Sequence, residues 1–332
     1  MQPQRTVVRR GPYIYLFAEG VWYCYNPAES LLGSGAMGDV YLGFRCSDGV
    51  KVAIKKVKDY YANNPMIRER ARQEASLSFR HPNLVEMLGY CELEPGRGPI
   101  WILSKYVQGE DMDKYVALFP NTPNRAEKIC RLVLPVMDAL SYIHQKGVVH
   151  RDIKPSNIMV ENGNNVRLMD LGISRMNGGN KFSQYGFIGT PQYSSPEQIK
   201  RSEGSAADTI NATSDIYELG ITLYELLAGA NPMDKGNDAE TLAAQVSDTL
   251  PPSDKIPPRL MKVIWKATDK VQDRRYQTAN EFKCAIVDAF AYQPTAMERM
   301  EDWVKSNVAL TVLMVIAAFF AIALAVAIPL IL

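Results

Sequence analysis

The sequence predicts an α+β chain of two lobes, a small strand-rich half followed by a larger helical half with a cleft between them, and then one membrane helix. Three observations carry this. Between about residues 29 and 107 the apolar residues fall in short strand-like runs, "SLLGSGAMGDVYLGF", "KVAIKKV" and "PIWILSKYV". From about Asp111 onward the apolar spacing becomes helical. The 25 residues from Val308 to Leu332 contain no charged side chain.

Composition narrows the chemistry. A net charge of +1 with 22% charged residues gives no reason to expect nucleic-acid binding or an acidic disordered tail. The five cysteines (Cys24, Cys46, Cys91, Cys130 and Cys284) are odd in number and form no C-x-x-C pair, which favours reduced thiols in a cytosolic fold over a disulfide frame or zinc site. With three histidines (His81, His144 and His150) a His-rich metal centre is not expected.

Residues 1–28 read as an N-terminal extension. Its run "GPYIYLFAEG" is too brief for a secretory leader and is cut by Glu19, whereas "YIYLFAEGVWYCY" alternates around Glu19–Gly20 and predicts a short hairpin. One helix is expected from about Asn63 to Phe79 inside the strand-rich half. In "RAEKICRLVLPVMDALSYIHQKG", Ile129, Leu132, Val133, Val136, Met137, Leu140 and Ile143 form one apolar stripe, and Gly147 is a C-cap. "SDIYELGITLYELLAG" predicts a buried helix over 214–229, with further helices near 239–247, 258–268 and 278–292.

Residues 293–307 read as a polar linker or helical stem. At ~1.5 Å per residue the 308–332 segment would cover roughly 37 Å, enough for a ~30 Å hydrocarbon core with some tilt. Trp303 and Lys305 suit the interface before it. The expectation is a single-pass, tail-anchored chain. Ala317, Ala318, Ala321, Ala323, Ala325 and Ala327 would permit close packing against a second copy, although alanine is common in such helices.

The chemistry sits in a few strings. "GSGAMGDV" places Gly33, Gly35 and Gly38 at G-x-G-x-x-G spacing. A dinucleotide site of that spacing needs a helix to follow, but "DVYLGF" continues as a strand, so the glycines lie in a strand–turn–strand whose backbone N–H groups could lie over phosphates. Lys55 stands in the apolar strand "VAIKKV". Alone it would be a solvated surface lysine, and it becomes a phosphate ligand only beside an orienting acid such as Glu74. "VVHRDIKPSNIMV" brings His150, Arg151, Asp152, Lys154 and Asn157 together between apolar flanks, and "VRLMDLGIS" ends a strand at Asp170.

Taken in order with "SSPE" further on, these motifs make residues 29–292 resemble a protein kinase catalytic domain of the Hanks type, with a β-rich N-lobe over about 29–107 and a helical C-lobe over about 108–292. Lys154 and "GTPQYSSPE", with Thr190 as its threonine, resemble the Ser/Thr class.

The resemblance implies the following roles. Gly33, Ser34, Gly35, Ala36, Gly38, Val40, Ala53 and Met159 would contact ATP. Lys55, oriented by Glu74, would hold the α/β-phosphates. Asp152 would accept the hydroxyl proton, Lys154 would stabilise the transferred phosphoryl group, and Asn157 and Asp170 would hold Mg²⁺, for which Mn²⁺ could substitute. The backbone of Lys105–Val107 would bind adenine, with Ser104 a small residue behind it, and Asp111 would meet the ribose. Glu197 would pair with Arg275, Asp215 would hold the catalytic loop, and Arg151 is of the type that pairs a phosphorylated activation loop. Ser174, Ser183, Tyr185 and Thr190 are the activation-loop candidates, Thr190 for a structural role.

Two departures stand out. Leu171 replaces the usual Phe, and Glu74 lies about two residues nearer the following "HPN" turn than the family's helix glutamate, which leaves Glu69 as the other candidate. The function implied is a membrane-anchored, autophosphorylating, non-specific Ser/Thr protein kinase, its kinase domain cytoplasmic, acting on protein substrates. The alternative is an ATP-binding pseudokinase or scaffold, which usually loses the lysine, the catalytic Asp or the metal Asp that this chain retains.

Overall fold

The computed structural model describes residues 6–35, 38–76, 79–170, 190–205 and 209–291, together with Val304, Asn307, Val308 and Val312. The chain divides into two compact units, Met1–Ala289 and Phe290–Leu332. Ala36, Leu171, Ser174, Ser183 and Tyr185 lie outside the described residues, as does the 308–332 segment apart from Val308 and Val312. Among the described residues no helix is long and apolar enough to cross a membrane.

Among the described residues the small lobe is a sheet of eight strands. They are β1 (Val7–Arg10), β2 (Tyr13–Ala18), β3 (Val21–Tyr25), β4 (Leu31–Ser34), β5 (Gly38–Arg45), β6 (Lys51–Val57), β7 (Met87–Glu94) and β8 (Arg97–Lys105). Their order is β1-β2-β3-β5-β6-β8-β7, with β4 also paired to β5. The expected hairpin forms. Ala18 pairs with Val21 across a two-residue turn in which Glu19 (φ 49°) and Gly20 (φ 81°) are both left-handed, the geometry that suits the twist of hairpin strands.

β3 continues past the hairpin onto β5, pairing Tyr23 with Arg45 and Cys24 with Phe44, while β4 takes the other half of the same β5 edge. The sheet also curls. Thr6 Oγ1 donates to Glu92 O at 2.8 Å, and a Cβ on Gly89 (φ 147°) would come within 2.9 Å of the Ala18 side chain. Leu16, Ala18, Tyr23, Tyr25, Val52, Ile54, Cys91, Trp101 and Leu103 fill the inside of this curl. Trp101 Nε1–H donates to Tyr25 Oη at 2.8 Å, so the largest ring in that core leaves no orphaned donor.

A short helix α1 (Asp59–Ala62) precedes α2 (Pro65–Ser76), the helix expected over 63–79. Arg68 fixes α2. Its buried guanidinium donates to Ala62 O and Gly98 O, both at 2.7 Å, and to Glu92 Oε2 at 2.5 Å.

The large lobe begins with β9 (Gly109–Asp111), α3 (Met112–Ala117) and α4 (Arg125–Gln145). On α4 the predicted stripe is buried except for Leu132, which is half-buried at its edge. The helix stops where Gly147 turns left-handed (φ 73°). After a single 3₁₀ turn at Pro155–Asn157, strands β10 (Ile158–Glu161) and β11 (Asn165–Leu168) join β9 in a small sheet. Then follow α5 (Pro196–Ser202), α6 (Ala212–Ala228), α7 (Asp238–Ser247), α8 (Pro258–Ala267) and α9 (Ala279–Ala291). Helix α6 is buried around nearly its whole circumference, the mark of a helix around which others pack. The two lobes meet where Val85 N–H donates to Leu168 O at 3.0 Å and Leu168 N–H to Asn83 O at 2.8 Å.

Candidate active site

Of the three glycines, Gly33 lies in β4, Gly35 follows it and Gly38 begins β5. Gly35 N–H donates to Gly38 O at 2.9 Å, and Ser34 Oγ donates to Asp39 Oδ1 at 2.5 Å. A Cβ on Gly38 would lie 2.5 Å from Lys56 O, so only glycine lets β5 begin so close to β6. Val40 and Ala53 sit on those two strands, Val40 opposite Lys55 and Ala53 opposite Ser104. Lys105 ends β8 with its N–H donating to Glu86 O at 2.9 Å, and Val107 is buried just beyond. In the other lobe Met159 on β10 pairs with Asp111 on β9. The Asp111 carboxylate is in an ion pair with Lys114 at 2.7 Å, which a ribose would have to share or displace.

Lys55 Nζ donates to Asp170 Oδ2 at 3.0 Å. The side chains are 25% and 43% exposed, so the pair contributes little to stability and its consequence is orientation. Glu74 lies in α2, but its side chain is outside the described part of the structure. Glu69, the other candidate, is turned to Arg72 and Gln73 of its own helix, accepting from each at 3.2 Å.

Asp152 lies in a loop clamped from below. Fully buried Asp215 on α6 accepts from His150 N–H at 2.8 Å, Arg151 N–H at 2.7 Å and His144 Nε2 at 2.7 Å. Burial opposes ionisation of Asp215, yet these donors outweigh it and hold the carboxyl below the usual range. Arg151, the residue before Asp152, is left-handed (φ 68°), a backbone conformation that the clamp holds in place.

His150 is buried, and burial lowers its basicity. The tautomer that fits donates from Nε2 to Met169 O at 2.9 Å and accepts at Nδ1 from Asp152 N–H at 3.3 Å. His150 thereby ties Asp152 to the strand end that carries Asp170, itself left-handed at φ 46°.

The Asp152 carboxylate is bracketed. Oδ1 accepts from Thr190 Oγ1 at 3.0 Å, Oδ2 accepts from Asn157 Nδ2 at 3.0 Å, and Lys154 Nζ lies 3.2 Å from Oδ2. Lys154 Nζ also donates to Thr190 Oγ1 at 2.9 Å. Since Nδ2 of Asn157 is given to Asp152, its amide oxygen is the atom that would meet a cation, with the half-exposed Asp170 carboxylate as the second ligand. That donor set, one carboxylate and one amide oxygen, is of the hard-oxygen type that suits Mg²⁺.

The segment from Thr190 to Glu197, within "GTPQYSSPE", which by the resemblance would dock the substrate, is anchored from behind. Arg275 meets Glu197 with two bonds, 2.8 and 2.9 Å, both side chains almost fully buried. Tyr193 Oη donates to Glu225 Oε2 at 2.6 Å. Two further residues, Gln198 and Glu218, hold this region, and nothing in the sequence reading assigned them a role. Glu218 has one sequence signal, a charged residue in the middle of the apolar helix "SDIYELGITLY", and Gln198 has none.

A carboxylate poised at a lobe boundary, steadied by an ammonium and an amide, is what phosphoryl transfer asks of a protein, and the surrounding two-lobed fold is that of a protein kinase. The sequence pattern of the protein kinase domain matches residues 27–288, and the chain belongs to that family. Serine/threonine-protein kinase PknB of Mycolicibacterium smegmatis is 36% identical over 269 residues, 77% of this chain and 41% of that protein. Serine/threonine-protein kinase PrkC of Bacillus subtilis is 32% identical over 268 residues, 78% of this chain and 40% of that protein. The chain therefore spans about two-fifths of the length of these relatives. The crystal structure of the Mycobacterium tuberculosis PknI kinase domain superposes with a TM-score of 0.61 at 25% identity, covering 87% of this chain and 100% of that one. Both of these relatives are named as Ser/Thr protein kinases.

Proposed function

We propose that the chain is an active Ser/Thr protein kinase that transfers the γ-phosphoryl group of ATP to Ser or Thr hydroxyls of protein substrates, itself included. The observation that carries this reading is the bracketed Asp152 carboxylate, with Thr190, Asn157 and Lys154 all within 3.2 Å of it. Asp152 would receive the hydroxyl proton while Lys154 faces the transferred group. Mg²⁺ on Asn157 and Asp170 would supply charge neutralisation on the phosphates, and Lys55 would orient them. Glu74, on α2, remains the candidate to steady Lys55. Gly33, Ser34, Gly35, Ala36, Gly38, Val40, Ala53, Met159, Asp111 and the Lys105–Val107 linker would form the nucleotide site.

The same proposal places the kinase domain on the cytoplasmic side of a membrane, held by residues 308–332. What supports the anchor is the uncharged length of that segment, together with the cytosolic supply of ATP.

The test is phosphate transfer by the full chain to a generic basic protein with ATP and magnesium, comparing wild type with Asp152→Asn and Asp170→Asn. Wild type should transfer phosphate and both variants should lose transfer. Equal activity in all three would overturn the reading. Removal of 308–332 should release the protein from membranes into the soluble fraction, and a deletion variant that still sediments with membranes would sink the anchor.

A further inference from the structure

Helix α6 carries two buried carboxylates one turn apart, Asp215 at 0% and Glu218 at 1% exposure. Asp215 grips the chain before Asp152 at His150 and Arg151. Glu218 grips the chain after it, since Oε2 accepts from Ile153 N–H at 2.7 Å, and the Ile153 carbonyl is met by Thr222 Oγ1 at 3.3 Å. The residues on both sides of Asp152 are thus held by carboxylates of one rigid helix.

Glu218 also faces the other way. Its Oε1 accepts from Gln198 Nε2 at 2.8 Å, and Gln198 Oε1 in turn accepts from Ser195 N–H at 2.6 Å and Ser195 Oγ at 2.7 Å. Ser195 is the cap of α5 and belongs to the docking segment "GTPQYSSPE". Gln198 Nε2 lies 3.3 Å from Arg151 O as well. An unbroken chain of hydrogen bonds therefore runs from the docking segment through half-buried Gln198 and buried Glu218 to the peptide that follows Asp152.

A buried carboxylate is costly unless donors converge on it, and here two converge from opposite elements. Glutamine would match the shape of Glu218 but would turn an NH₂ group toward one of those donors.

We propose that Glu218 is a positioning residue, placing Asp152 and coupling that placement to the order of the docking segment through Gln198. This rests on the kinase reading above. The experiment compares the full chain as wild type, Glu218→Gln, Gln198→Ala and the double variant. It reads amide hydrogen exchange at Ile153 and Ser195, and kcat and KM for ATP and for a generic basic protein.

Glu218→Gln should speed exchange at both amides and lower kcat about tenfold, with the KM for ATP within about twofold, as expected for a displaced catalytic group. Gln198→Ala should also speed exchange at both, and the double variant should lose little more than Glu218→Gln alone. Normal kcat in folded Glu218→Gln overturns the proposal, and so do additive losses. Should Glu218→Gln not fold, Gln198→Ala decides: faster exchange at Ser195 with none at Ile153 overturns the coupling. A wild type that transfers no phosphate would sink the kinase reading, while the exchange arm would still decide this one.

Discussion

Lys55 and Asp170 stand 3.0 Å apart, Nζ to Oδ2, across 115 residues of sequence. One belongs to β6 of the small lobe and the other follows β11, so the pair bridges the two lobes at the point where phosphates would lie. Because both side chains are partly exposed, Asp170→Asn should leave thermal stability within about 1 kcal/mol of wild type. It should lower kcat by about 10²–10³-fold. Thermal denaturation and steady-state kinetics on the same preparations separate the two effects. A fall in activity that merely tracks unfolding would contradict this assignment.

Thr190 Oγ1 accepts from Lys154 and donates to Asp152, so its hydroxyl is already spent inside the site. Thr190→Ala should lower kcat about tenfold, and Thr190→Ser, which keeps the oxygen, should restore most of it. A phosphoryl group there would set negative charge against Asp152, so a Thr190-phosphorylated form should be less active than the unmodified one. Mass spectrometry with kinetics on separated forms checks the sign.

The Glu197–Arg275 pair is buried, so removing one partner leaves a charge uncompensated. Glu197→Ala should cost about 3–5 kcal/mol in denaturant unfolding. Burial opposes ionisation of Glu197, but Arg275 outweighs it and the folded pKa lies below the unfolded one. The stabilisation is therefore present above the ordinary carboxylate range and is lost as pH falls through the lowered folded value. In acid titrations of stability, Glu197→Ala should lack this part of the slope.

Lys270 gives the opposite limb. Burial, then the charge of Arg275, lowers its pKa to about 8, while its Nζ donates to Tyr217 Oη at 2.7 Å and Gln245 O at 2.8 Å. Above that pH the unfolded chain binds a proton that the folded chain does not, so this group raises stability as pH climbs from about 8 toward 10. Tyr217, whose ionisation burial suppresses, acts in the other direction only above the ordinary tyrosine range. Lys270→Met should flatten the rise between about pH 8 and 10 in denaturation midpoints relative to wild type, and an unchanged slope would rule Lys270 out as its source.

Much of the site was legible because its residues are close in sequence. "VVHRDIKPSNIMV" puts Asp152, Lys154 and Asn157 in one loop, and any fold that seats the apolar flanks brings them together. Helix α4 was legible for the same local reason, its stripe surviving intact except at Leu132. Arg68 was not, because its acceptors are mostly backbone carbonyls, of Ala62 nearby and of Glu94, Arg97 and Gly98 around the β7–β8 connection, which carry no sequence signature. Glu218 was not either, since a charge inside an apolar helix does not say which loop will meet it. Strand β1 is too short to be read alone and exists by pairing with β2.

The curl of the small lobe bears on how the chain is made. Leu16, Ala18, Tyr23 and Tyr25 contribute to one core with Cys91, Trp101 and Leu103, and Thr6 is bonded to a residue 86 positions later. At a synthesis rate of about 5–20 residues per second, the first hairpin waits on the order of ten seconds for the strands that enclose it. During that interval its aromatic face is open, and an expression fragment begun at residue 29 would leave the same face of β8 open permanently. The buried Trp101–Tyr25 bond makes Trp101 fluorescence a direct clock for that closure.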